Sequence, residues 1–154
     1  MSWIEPKTNW TDQYDDSGRF IGTYVNYQDY NRIKNNLLVL HDLAIQIYHD
    51  IPDFNLGADK HAINRNSPDY NNDNFFADEF NAIENCVYEI DKKMTFIDFG
   101  SKKTFYDNGK FINATELNRL ETAEKRMYDI LTNAINGKLT LPFTLGIQEN
   151  DLRP

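Results

Sequence analysis

One helix-start pattern occurs three times in this chain, and it constrains the fold more than any other feature of the sequence. Asn26-Tyr27-Gln28-Asp29-Tyr30-Asn31-Arg32-Ile33 is one copy, and Asn113-Ala114-Thr115-Glu116-Leu117-Asn118-Arg119-Leu120 is another. The third, Phe76-Ala77-Asp78-Glu79-Phe80-Asn81-Ala82-Ile83, keeps the acids, the Asn and the apolar positions but has Phe at the cap. A repeat on this scale describes a molecule built from similar short units that bury their apolar faces against one another. Asn26 and Asn113 are suited to accept from the orphan amides of a first helical turn. Asp29 and Glu116, at the third helical position, can reach back to the cap amide and meet the positive end of the helix dipole.

Apolar residues then recur three and four apart. Tyr30, Ile33, Leu37, Leu40, Ala44 and Ile47 predict a helix over about 27–50, stopped before Pro52. Phe76, Phe80, Ile83, Val87, Ile90 and Met94 predict a second over about 77–94. Leu117, Leu120, Met127, Leu131 and Ala134 predict a third over about 114–136, with Glu124 interrupting the stripe and Asn136-Gly137 as its C-terminal cap. Residues 53–75 lack periodicity and read as a long loop. Asn108-Gly109, flanked by alternating apolar residues, predicts a small β-hairpin over 104–112. Residues 138–154, with Pro142 among them, read as an extended tail. The expected fold is mainly α: a single-domain three-helix bundle with heptad-spaced helices, a small β-hairpin and an extended C-terminal tail. Stripes of this spacing serve equally as the core of one molecule or as a seam between copies.

Composition narrows the chemistry. The chain has 154 residues and a formal net charge of −8, which argues against binding nucleic acid through its phosphates. No apolar run approaches a membrane span, and the first residues do not read as a signal peptide. Cys86 is the only cysteine, so no intrachain disulfide forms and a reducing compartment is expected. No catalytic constellation, metal set or cofactor motif is found. His41 and His49 stand too far apart for a one-face metal pair, and Asp69-Tyr70-Asn71-Asn72-Asp73 lacks the Gly and Glu that a calcium loop needs. Seven of the 21 aromatic residues fall within the first 30. Among them Trp3, Trp10, Tyr14, Tyr24 and Tyr27 are candidate interface residues, Trp3 and Trp10 foremost because they precede the first helix.

Lys7-Thr8-Asn9-Trp10, followed by Asn26-Tyr27-Gln28-Asp29-Tyr30-Asn31-Arg32-Ile33, resembles the opening of small virion proteins from phages and prophages of low-GC Gram-positive bacteria. Lys102-Lys103-Thr104-Phe105, leading into Asn113 and Leu117-Asn118-Arg119-Leu120, looks like the same unit repeated, and Asn81 marks the middle copy. The stretch from Asp15 to Val25 departs from that pattern as an inserted, aromatic-tipped turn around Ser17-Gly18. The resemblance implies a non-enzymatic part of a phage tail, baseplate or tail-like bacteriocin, made in the host cytoplasm and carried in the virion. Its implied partners are other tail, baseplate or fibre proteins and further copies of itself, as a trimer or hexamer, with no membrane or nucleic acid. Two alternatives stay open: a receptor- or saccharide-binding accessory module, and a tail assembly factor.

Overall fold

The computed structural model describes residues 2–56, 77–94, 99–106 and 112–152, the last of these from 138 onward by backbone alone. Three helices account for the regular structure: α1 (Tyr27–Ala44), α2 (Ala77–Asp91) and α3 (Ala114–Leu152). Each packs against the other two, most extensively α1 against α3. The stripes read from the sequence meet in the middle. Ile33, Leu37, Leu40 and Ala44 from α1, Ile83, Val87 and Ile90 from α2, and Leu120, Met127 and Leu131 from α3 are fully buried. Each of these side chains larger than Ala44 contributes about 1.5–3 kcal/mol through removal from water.

α1 begins as its sequence requires. The Asn26 side chain accepts from the backbone amides of Gln28 and Asp29, while the Asp29 carboxylate accepts from the Asn26 amide, closing a capping box. α3 starts differently. Asn113 Oδ1 accepts from the Glu116 amide, but the Ala114 amide is capped by Asp12 from far along the chain, and the Glu116 carboxylate turns to Arg119.

The structure departs from three expectations. α1 ends at Ala44 rather than near residue 50: three-residue hydrogen bonds from Gln46 to Leu43 and from Ile47 to Ala44 tighten the last turn. Asp50, at φ 63°, then turns the chain ahead of Pro52. The β-hairpin expected over 104–112 is not supported: Thr104–Tyr106 belong to no strand, and residues 107–111 lie outside the described residues. The reason is visible at Phe105, whose backbone amide and carbonyl are both taken by the Asn81 side chain and so are lost to a ladder. The extended tail is replaced by helix, because α3 passes through Gly137 and Pro142 to Leu152. The loop expected at 53–75 is described only to residue 56, where Leu56 is buried against the core.

Ahead of α1 the chain runs as an extended arm, residues 2–10, and then doubles back. Residues 11–23 form a narrow hairpin whose one β-bridge joins Tyr14 to Phe20. The Ile21 amide donates to the Gln13 carbonyl, and the Thr23 amide to the Thr11 carbonyl. Its turn is built on Asp15, whose Oδ1 accepts from the Ser17 amide and hydroxyl and from the Arg19 amide, with Gly18 at φ 81°. These bonds hold the Asp15 carboxyl below the ordinary range, the Ser17 hydroxyl foremost. Gly22 is required by crowding: a Cβ there would stand 2.3 Å from the Thr11 carbonyl oxygen and 2.6 Å from the Phe20 ring.

Candidate functional site

The repeat residues converge on a polar system inside the helical packing. Asn118 of α3 faces the backbone of Trp10: its Oδ1 accepts from the Trp10 amide at 2.9 Å and its Nδ2 donates to the Trp10 carbonyl at 3.0 Å. Asn81 of α2 does the same to Phe105, at 2.7 and 2.9 Å. One helical turn further on, a buried glutamate completes each clasp. Glu121 Oε2 accepts from the Lys7 amide at 2.7 Å, and Glu84 Oε2 from the Lys103 amide at 3.3 Å. The segments Lys7–Trp10 and Lys103–Phe105 are thus each gripped by an Asn-x-x-Glu face, through amides three residues apart in the first and two apart in the second. Asn36 of α1 makes a further grip of this kind on Ile4, accepting from its amide at 3.0 Å and donating to its carbonyl at 2.7 Å.

The arginines of the repeat tie the helices to one another in a fixed sense. Arg32 of α1 forms a two-pronged pair with Glu121 of α3, Nη2 to Oε1 at 2.7 Å and Nε to Oε2 at 3.0 Å, and also donates to Asp29 at 2.8 Å. Arg119 of α3 pairs with Glu84 of α2 and with Glu116 at 2.7 Å, its guanidinium lying 4.6 Å from the centre of the Phe99 ring. Each arginine therefore bridges its own helix's early acid and the Asn-x-x-Glu glutamate of the preceding helix, counted cyclically. The third joint, from α2 to α1, has Ala82 at the arginine position and the fully buried Lys34 at the glutamate position. Lys34 Nζ lies 4.6 Å from the centre of the Tyr30 ring. Charge-assisted pairs are the strong class of hydrogen bond, and here they join α1 to α3 in a two-pronged pair and α3 to α2 through a single bond.

Burial shifts the charges in this interior. Desolvation opposes the Arg32 charge, but hydrogen bonds and field from Glu121 and Asp29 more than offset it and raise its pKa. Desolvation also raises the Glu84 pKa against the pull of Arg119. Glu124, which breaks the apolar stripe of α3, is fully buried, and neither carboxyl oxygen forms a hydrogen bond. Burial first, and the Glu121 carboxylate second, push its pKa well above the ordinary carboxylate range. The field of the Arg32 guanidinium pulls the other way. Cys86 is buried too, and desolvation pushes its thiol up to about 12.

The aromatic candidates divide. Trp10 is not an exposed anchor: it is 3% exposed, its Nε1 donates to Glu121 Oε1 at 2.9 Å, and Lys7 Nζ lies 4.1 Å from its ring centre. Trp3 stacks on Tyr128 at 4.1 Å and is half-buried. Tyr27 is half-buried at the start of α1. Tyr14 and Tyr24 stand out on the hairpin at 66% and 67% exposed, set edge-on about Phe20. The repeat residue Asn31 is engaged, and Asn26 and Asn113 act as caps. Among the described residues no group of His, Cys, Asp and Glu could hold a metal ion. No described helix is long and apolar enough to cross a membrane. The rejected calcium-loop segment Asp69–Asp73 lies outside the described residues.

Glu84, Glu121 and Asn36 were not singled out by the sequence. The available signal was the Asn-x-x-Glu spacing in two of the three copies, together with the charged break at Glu124. The chain matches no protein-family profile, no curated protein and no solved structure. The likeness to phage virion proteins therefore rests on the short motif.

Proposed function

We propose that this chain is a non-enzymatic structural protein of a phage tail or tail-like particle, present in repeated copies and docking tail, baseplate or fibre components. One observation carries the reading. The residues that resemble the virion proteins, Lys7–Trp10, Asn31-Arg32, Lys102–Phe105 and Asn118-Arg119, are in large part the residues that clasp extended segments onto helices and order the helices. A motif used in this way marks a shared architecture rather than a shared reaction. The interior polar groups are turned toward one another, as suits a rigid part.

Quantitative mass spectrometry of purified induced particles, against a known tail protein, tests the proposal. A fixed stoichiometric ratio is expected. Clean particles without the chain would overturn it and favour an assembly factor. A second reading, a receptor- or saccharide-binding accessory module, is favoured by the exposed Tyr14 and Tyr24, set on either side of Phe20. Its mark is binding to host cell walls that is lost in Tyr14→Ala with Tyr24→Ala.

A further inference from the structure

The two clasps differ at one interior position. On α2 the face runs Asn81, Glu84 and then Val87; on α3 it runs Asn118, Glu121 and then Glu124. Val87 and Glu124 are both fully buried. The valine shows that an apolar side chain serves this position, so the packing does not require a carboxyl there. Neither oxygen of Glu124 has a hydrogen bond, an arrangement that costs stability.

Glu124 lies where the arm crosses from one helix to the other. Asn36 of α1 grips Ile4 and Glu121 of α3 grips Lys7, so residues 4–7 pass over the α1–α3 seam. Pro6, between the two grips, is buried. Among the described residues, the groups that act on Glu124 are Glu121 of its own helix and Arg32 and Asn36 of α1; none belongs to α2 or to the arm. Glu121 and Asn36 are the arm's own grips, and Arg32 is the cation paired with Glu121. The arm's charged pair, Glu5 with Lys125, lies outside at exposed positions. A proton lost from Glu124 to solvent leaves two carboxylates one helical turn apart beside one guanidinium. The new charge competes with Glu121 for Arg32, and it needs water. Lifting the arm admits water at the least cost, because the arm is held by side-chain grips while α1 and α3 keep their own hydrogen bonds and apolar core. Local opening of such a segment costs less than global unfolding.

We propose that Glu124 is a proton-operated latch: with its proton the carboxyl lies closed under the arm, and loss of the proton to solvent releases residues 2–7 from the seam while the helices stay packed. This goes beyond the reading of the chain as a particle component and does not depend on it. Both tryptophans lie in the arm, and Trp3, stacked on Tyr128, falls within the released stretch. The test follows acrylamide quenching of tryptophan fluorescence, together with far-ultraviolet circular dichroism, from about pH 5 to about pH 9, a span that covers buried glutamates. In the full chain a severalfold rise in quenching with pH is expected at constant helix signal. Glu124→Val, which copies Val87, and Glu124→Gln, which keeps the shape without the charge, should abolish the rise. The two differ in size and polarity, so either one that folds decides. Quenching that stays flat in the parent chain, rises equally in a folded variant, or rises only together with loss of helix overturns the latch.

Discussion

Glu124 occupies a position that the spacing of α3 reserves for an apolar side chain, and its carboxyl is buried there without a hydrogen bond. Because its pKa is raised in the folded chain, the folded state holds its proton more tightly than the unfolded state does. The associated stability is present below the unfolded value of 4.5 and is lost as pH rises through the folded pKa. Glu84 adds to the same trend. Glu124→Met is expected to stabilise the chain at neutral pH by about 1–3 kcal/mol, the usual cost of an unsatisfied buried polar group. It should also flatten the fall in stability above the carboxylate range, as measured by denaturant titration at several pH values. A variant as pH-dependent as the parent would place the titration elsewhere. Cys86 gives a second residue-scale expectation. Its thiol, buried and pushed up to about 12, should resist alkylation in the native chain and react only at the rate of unfolding.

At the scale of elements, the two regular joints differ from surface ion pairs because Glu121 and Glu84 are fully buried. Arg32→Met leaves Glu121 charged and without its guanidinium, which should cost about 3–5 kcal/mol. Arg32→Met with Glu121→Met should recover much of that loss in equilibrium unfolding, with Trp10 Nε1 and the Lys7 amide left as the remaining penalty. Additive losses would show that the pair is not coupled. The hairpin gives a steric expectation: Gly22→Ala should loosen the 11–23 hairpin, because the clash is with the Thr11 backbone as well as with the Phe20 ring, while the helix-derived circular dichroism stays unchanged.

The helices were legible in the sequence because their determinants are local: Asn26 with Asp29 closes a capping box, and residues such as Ile33, Leu37 and Leu40 recur at helical spacing. What was not legible depends on distant partners. The Asn108-Gly109 signal for a hairpin is local, but Phe105 is taken by Asn81, 24 residues earlier. Gly137 is a good C-terminal cap, yet it has no positive φ here and α3 continues through it. Trp10 looked like an exposed anchor because its acceptor, Glu121, is 111 residues away.

At the scale of the whole molecule, the helices form a cycle in which each regular joint uses the same three parts. These are an extended Lys-to-aromatic segment, an Asn-x-x-Glu face that grips its backbone, and an arginine that reaches back to the glutamate. The segment before α1 docks on α3 and the segment before α3 docks on α2, and the arginines follow the same order. Ala82 and Lys34 mark the one joint where both charged positions have changed together. The cycle explains how a chain without a described strand holds long extended segments in place. Their amides are satisfied by side chains of the helices rather than by a sheet.

Native-state hydrogen exchange of the Ile4, Lys7, Trp10 and Phe105 amides tests this architecture most directly. These amides lie outside helices and ladders, so any protection they have comes from Asn36, Glu121, Asn118 and Asn81. Protection of the same order as the buried core of α3, lost for Trp10 in Asn118→Ala, is the expected result. Exchange of all four at the rate of an unstructured peptide would contradict it.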